Sequence, residues 1–395
     1  MKTLLAILIA ALILITAFGS IPPSRAPIET NVGITHQSLD ASILAATNQT
    51  HRDIPTDVIP RQTVSSQTQT LLSLLEQTVD EEHDLNKGSE LIEQSENSPD
   101  NSKIIELYRA KILSRSLNFE QAQKLLDRVD PNELPILKAA VLIAQDNRNK
   151  TLSYLHSLVD SHPDAQVKIT ALAFLNIYHT YDTYRDADES YLWTLFAQKI
   201  GELGEPEISL YLAKKAVERN ELYRDAWIIK GYNEFSLNHP EEAELSLLRA
   251  YELDPGNPHI QYLLGLTYHE LNKPELSNQY LLYAQQNTRE YDSIISSTLA
   301  ENSIDLEDYP LAAYYYERLL ELKTDQKKGL SGLVWLYTEH LNQLDKALLY
   351  AEHLTRQYRD DPNSFHLLSW VYSKRGELEK AENELQKAQS LEEGG

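Results

Sequence analysis

Any chemistry in this chain must come from imidazoles, carboxylates and hydroxyls. It has twelve His, 59 Asp and Glu, 36 Lys and Arg, and no Cys. The lack of Cys excludes disulfides, thiol catalysis, cysteine-ligated metals and a lipidated N-terminal Cys. The His residues form no HExxH and no pair at clear metal-ligand spacing. His269-Glu270 and Glu339-His340 are adjacent pairs, and helix neighbours one apart do not share a face. The "GLSGL" at 329–333 has the wrong spacing for a phosphate loop and falls inside a helical pattern. Acidic runs such as "TVDEEHD" lack the alternating ligands and Gly of a calcium loop, so they read as solvated surface. Ser, His and Asp are abundant, but no strand-turn-helix context supports a nucleophile elbow. The sequence therefore predicts no enzyme, with no catalytic, metal-ligating or cofactor-binding residues and no cofactor.

A formal net charge of −23 repels phosphate backbones, and the Lys and Arg are scattered among more numerous acids. Nucleic acid is excluded as a partner on that ground. A hydrophobic content of 42% suffices for a core, while 13 Gly and 16 Pro are few for an all-β chain. Leu, Glu, Ala, Gln and Lys dominate the second half, and these are helix formers.

The N-terminus "MKTLLAILIAALILITAFGS" pairs a positive start at Lys2 with an apolar run from Leu4 to Phe18, broken only by Thr16. Residues 1–19 are expected to be a signal peptide or a membrane anchor, since Ala17-Phe18-Gly19 offers small residues for cleavage and the run also nears a span. Either way the expected location is extracytoplasmic, anchored or secreted after cleavage. Residues 20–68 are rich in Pro, Ser, Thr and Gln and read as a disordered tether. Residues 69–100 read as a polar linker with a marginal helix at most. Asn48-Gln49-Thr50 and Asn149-Lys150-Thr151 match the glycosylation acceptor pattern.

From about residue 101 the sequence becomes helical and self-similar. Small residues recur twelve apart, as in Ala197/Ser209, Gly231/Ala243, Gly265/Ser277, Ala300/Ala312 and Ser369/Ala381. The second member repeats at 209, 243, 277, 312, 347 and 381, with spacings of 34, 34, 35, 35 and 34. Ala216, Ala250, Ala284 and Ala388 follow it by seven residues. A period of that length implies stacked supersecondary units.

The period, with Trp227, Gly231, Ala243, Leu247, Ala250 and Pro255 in one unit and Leu264, Gly265, Tyr268 and Ala284 in the next, resembles the tetratricopeptide repeat. That resemblance implies an all-α fold, a superhelical α-solenoid of antiparallel helix pairs. Six units are expected over 190–395 (190–223, 224–257, 258–291, 293–326, 328–361 and 362–395), with degenerate hairpins over 101–189. "DAQVKITALAFLNIYHTYDTY" reads as a long helix without a mate. Trp335 stands where a small residue is expected, so its helix is expected to shift toward Gly332.

In the family it resembles, the first helix of each unit lines a concave ligand-binding face. Carried over by position, this puts Ile228, Tyr232 and Phe235 beside His259, Tyr262, Leu266 and His269, with His366 and Trp370 in the last unit. The Lys, Arg and Asn clamp for a terminal carboxylate is lacking. The expected partner is a protein or peptide in that groove, with the membrane reached through the N-terminal segment if uncleaved. The resulting reading is an exported, membrane-tethered, non-enzymatic binding scaffold that assists assembly of a cell-envelope complex. The alternative is a self-assembling structural protein that forms homo-oligomers.

Overall fold

The computed structural model describes residues 66–95, 101–184 and 188–394. The expected leader (1–19) and nearly all of the tether (20–68) lie outside them. Among the described residues every regular element is helical, and the chain divides into two compact units at Leu253.

The first unit holds α1 (Ser66–Leu75), α2 (Leu85–Ser95), α3 (Ser102–Arg115), α4 (Phe119–Leu126), α5 (Pro135–Ala144), α6 (Arg148–Ser161), α7 (Ala165–Thr183), α8 (Glu189–Glu202), α9 (Pro206–Arg219), α10 (Arg224–Ser236) and α11 (Pro240–Leu253). The second holds α12 (Pro258–Glu270), α13 (Pro274–Asn287), α14 (Asp292–Asp305), α15 (Tyr309–Leu322), α16 (Gln326–Glu339), α17 (Leu344–Gln357), α18 (Pro362–Lys374) and α19 (Leu378–Gly394). Each unit is an α-solenoid in which neighbouring helices pack as hairpins and successive hairpins stack.

The sequence starts these helices in recognisable ways. Pro occupies the first turn of α5, α9, α12, α13 and α18, where its missing N–H is not needed. Asn147, Asp164, Asp188, Asn257 and Asp308 accept backbone N–H groups of the first turn. Every hairpin turns on one left-handed residue: Leu117, Asp146, Gly204, Asn238, Asn272, Glu307, Asn342 and Gly376 all have φ between 49° and 83°. Only two of these are Gly, so most turns accept the steric cost of a side chain there.

The twelve-residue pairs lie where the two helices of a hairpin cross. A Cβ on Gly231 would stand 2.6 Å from Leu247 Cγ, and one on Gly265 2.5 Å from Leu281 Cγ. The hydroxyls of Ser209 and Ser277 donate to the carbonyls of Ala197 and Gly265 at 2.6 and 2.8 Å. The same crossing extends upstream, where Ala139 and Thr151, twelve apart, are both fully buried.

Three expectations need correcting. Residues 66–95 are not a polar linker. They form α1, a π-helical turn (Glu76–Glu81) and α2, whose Leu71, Leu72, Leu75, Val79 and Ile92 pack with Ile104, Ile105, Tyr108 and Ile112 of α3. Nor does α7 lack a mate: it packs on α6 and α8, leaving Ile169 and Leu172 about half exposed. In the 328–361 unit the position facing the second helix belongs to Val334, not Gly332. The turn after α16 has four residues (340–343) where the other hairpins have three, which advances the register by one. Val334 lies five residues before the helix end, as Gly231 and Gly265 do, and it is fully buried. Tyr pairs record the same shift: Tyr268 stacks on Tyr280, twelve residues on, and Tyr337 on Tyr350, thirteen on. Gly332 instead lies against the Tyr316 ring of the preceding hairpin.

Candidate functional site: the open side of the first helices

Side chains three before, one after and four after the crossing residue share one face of a first helix. On α10 this face carries Ile228, Tyr232 and Phe235. Ile228 is fully buried, Tyr232 is 6% exposed and Phe235 is half-buried. Burial pushes the Tyr232 hydroxyl up to about 12, so it stays neutral. On α12, Tyr262, Leu266 and neighbouring His259 are buried, while His269 is half-buried. His259 Nδ1 meets the Tyr291 hydroxyl at 3.1 Å, and Tyr262 stacks on the Tyr291 ring at 4.2 Å.

Five of the nine expected groove residues (Ile228, Tyr232, His259, Tyr262 and Leu266) are therefore core residues with almost no surface to offer a ligand. Phe235, His269, His366 and Trp370 keep some.

The open part of this face lies further along the second unit, on α14, α16 and α18. Ser297 and Glu301, Ser331 and Trp335, and His366 and Trp370 occupy its equivalent positions, and all six are half-buried. Charge is balanced within the face. Glu301 lies 2.8 Å from Lys328 Nζ and 3.6 Å from His269 Nε2, and Lys328 also reaches the Ser297 hydroxyl. Asn302 fixes His269: its amide nitrogen donates to Ser277 and Asn278, so its oxygen accepts from His269 Nδ1 at 2.6 Å. Lys374 pairs with Glu339 at 2.9 Å and stands 5.9 Å above the Trp370 ring. Trp335 packs edge-on to His340, which itself stacks on Tyr309. His366 leans on Glu392 at 3.0 Å.

Sequence reasoning met Trp335 only as a break in the small-residue register and passed over Glu301 and Lys328. The one usable signal for Trp335 was the longer turn after α16. Among the described residues, no group of three or more His, Asp and Glu is placed to hold a metal ion, and no helix is long and apolar enough to cross a membrane.

Comparison with known proteins matches one segment to a family. Residues 362–394 match the tetratricopeptide repeat. No curated protein matches the chain. Among solved structures, the chain is similar to YrrB, described as a tetratricopeptide-repeat protein with an unusual peptide-binding site (23% identity, 45% of this chain and 91% of that one, TM-score 0.41). It is also similar to PilW, a type IV pilus biogenesis factor (17%, 51% and 92%, TM-score 0.42). A third is the C-terminal part of a tetratricopeptide-repeat protein of Cytophaga hutchinsonii (14%, 62% and 96%, TM-score 0.47). Residues 362–394, which form α18 and α19, are thus a tetratricopeptide repeat by sequence, the last hairpin of an α-solenoid.

Proposed function

We propose that the chain is a non-enzymatic scaffold that binds a protein or peptide segment along the open side of α14, α16 and α18. The observation that carries this is the pair Trp335 and Trp370. They hold the same position on first helices that pack together, and both stay half-exposed where the equivalent residues earlier, Tyr232 and Leu266, are buried. Large rings with a polar edge are favoured binding anchors, and a groove between helices suits an extended or helical segment. In the test, full-length protein is passed over an array of short immobilised peptides. Replacing both Trp335 and Trp370 with Ala should remove most captured peptides while the melting temperature stays close to wild type. Undiminished capture sinks the proposal.

Export and membrane tethering by residues 1–19, in the service of a cell-envelope assembly, belong to the same proposal and rest on the apolar run after Lys2. Fractionation of the native cell tests this part, and recovery from the cytosol would contradict it.

One feature favours the alternative of self-assembly. The outward face of α7 presents Ile169, Leu172, Asn176, His179 and Thr183, flanked by half-buried Lys168 and exposed Asp182, on a chain of net charge −23. Light scattering across a concentration series decides it, because a mass that never rises above the monomer excludes self-assembly.

A further inference from the structure

Trp335 and Trp370 stand side by side in the second unit. Each follows its crossing residue, Val334 or Ser369, by one position, and α16 and α18 pack together. First helices of successive hairpins run in the same direction, so equivalent residues are separated by the distance between helix axes, about 8–10 Å. A segment that touches both rings therefore runs across the helices.

This spacing selects among chain conformations. A polyproline II helix rises about 3.1 Å per residue with three residues per turn, so positions three apart share one face at about 9 Å. Residues on one face of a β-strand lie about 7 or about 13 Å apart, and neither distance matches. An α-helix offers residues seven apart at about 10.5 Å, which fits on distance alone.

The ring donors decide against the α-helix. Trp227 Nε1 donates to the Glu221 carbonyl at 2.9 Å. Among the described residues, neither the Trp335 nor the Trp370 indole N–H has a protein acceptor, and the ring contacts with His340 and Lys374 do not use it. A polyproline II backbone has no internal hydrogen bonds and presents its carbonyls outward. An α-helix spends most of its carbonyls on itself.

Charge complementarity narrows the partner further. The ions of this face are already matched, Glu301 with Lys328 at 2.8 Å and Glu339 with Lys374 at 2.9 Å. A charged segment would have to break such a pair to gain one, and an uncharged segment would not.

Resting on the binding reading above, we infer that Trp335 and Trp370 hold an uncharged, proline-rich segment of a partner protein in the polyproline II conformation, with prolines three apart on the two indoles. Proline has its φ fixed before binding, so less ordering entropy is lost. Each indole N–H donates to a backbone carbonyl beside the proline it carries.

The test titrates full-length protein against short, end-capped Ser/Gln peptides that carry two prolines spaced two, three or four apart, read by fluorescence anisotropy of a labelled end. Spacing three should bind about ten-fold tighter than the other two. Trp335→Phe and Trp370→Phe, which keep a ring but lose the N–H, should each weaken that peptide about five-fold, the worth of one neutral hydrogen bond. Equal binding at all spacings overturns the inference, and so does unchanged binding in both Phe variants. The spacing series uses wild type alone, so it holds however the variants fold. Capture that needs both Trp residues but ignores proline and its spacing overturns this inference and leaves the binding reading standing. Failure of wild type to capture any peptide overturns both.

Discussion

His259 shows how a side chain chosen for a ligand surface can belong to the core. It is 3% exposed, set against Tyr291, and burial pushes its imidazole down to about 4 from an ordinary value near 6.5. The unfolded chain therefore takes up a proton first as the pH falls. The stability from keeping this residue neutral is complete above pH 6.5 and drains away between 6.5 and 4, by about 3 kcal/mol in all. Urea unfolding at a series of pH values should show this loss in wild type, and a flatter profile through the same window in His259→Gln. Equal profiles would mean that His259 is hydrated in the folded protein. At this scale the sequence was legible only in part. The positions of Tyr232, Tyr262, Leu266 and Trp370 mark the equivalent face of three first helices, but which members a neighbour covers depends on packing that no local pattern records. The bland alternative for Tyr232 and Tyr262, that they are core, is the one the structure supports.

At the scale of the helix and its turn, the crossing was the most legible feature. Gly231 and Gly265 each face a Leu sixteen residues on, Leu247 and Leu281. Replacing Gly231 with Ala gains roughly 0.5–1 kcal/mol of helix propensity. The added methyl would stand 2.6 Å from Leu247 Cγ and 3.3 Å from its backbone nitrogen, and overpacking of this kind costs about 1–3 kcal/mol. Gly231→Ala should therefore lower stability by about 1 kcal/mol net. In a double-mutant cycle with Leu247→Ala, that penalty should vanish when the partner is already small. A purely additive cycle would place the crossing elsewhere. What the sequence hid was the register of α16, because a small pair twelve apart cannot reveal a turn that is one residue longer.

Over the whole described chain, the part least legible in the sequence is the packing of residues 66–95 on the rest of the first unit. Its apolar residues straddle a π-turn, which breaks the 3.6-residue period that marks an amphipathic helix. It is fastened by charges as well as by apolar contact. Arg115, with its side chain 4% exposed, makes a two-pronged pair with Glu205 at 2.8 and 3.2 Å. It also lies 3.0 Å from Asp80 of the π-turn and donates to the Val79 carbonyl. Lys111 and Tyr108 reach the other oxygen of Asp80. Burial works against the Arg115 charge, but the carboxylates of Glu205 and Asp80 outweigh it and hold the guanidinium protonated. Arg115→Met would strand those carboxylates, at about 3–5 kcal/mol for a broken buried pair. Hydrogen exchange should then accelerate through residues 66–95 and the 203–205 turn. Exchange confined to the helix ends in the variant would show that apolar contact alone holds the segment.

The extra residue in the turn at 340–343 ties the length of the backbone to the side chain the helix can carry. An insertion of one codon there re-aims a whole helix without altering any of its residues, and it lets an indole sit at the surface where the shorter turn would press it against Ala347. Trp335 and the long turn are thus coupled in packing: the ring keeps its place only while the turn has its fourth residue. Deleting one residue of 340–343 should lower the melting temperature more in wild type than in Trp335→Ala.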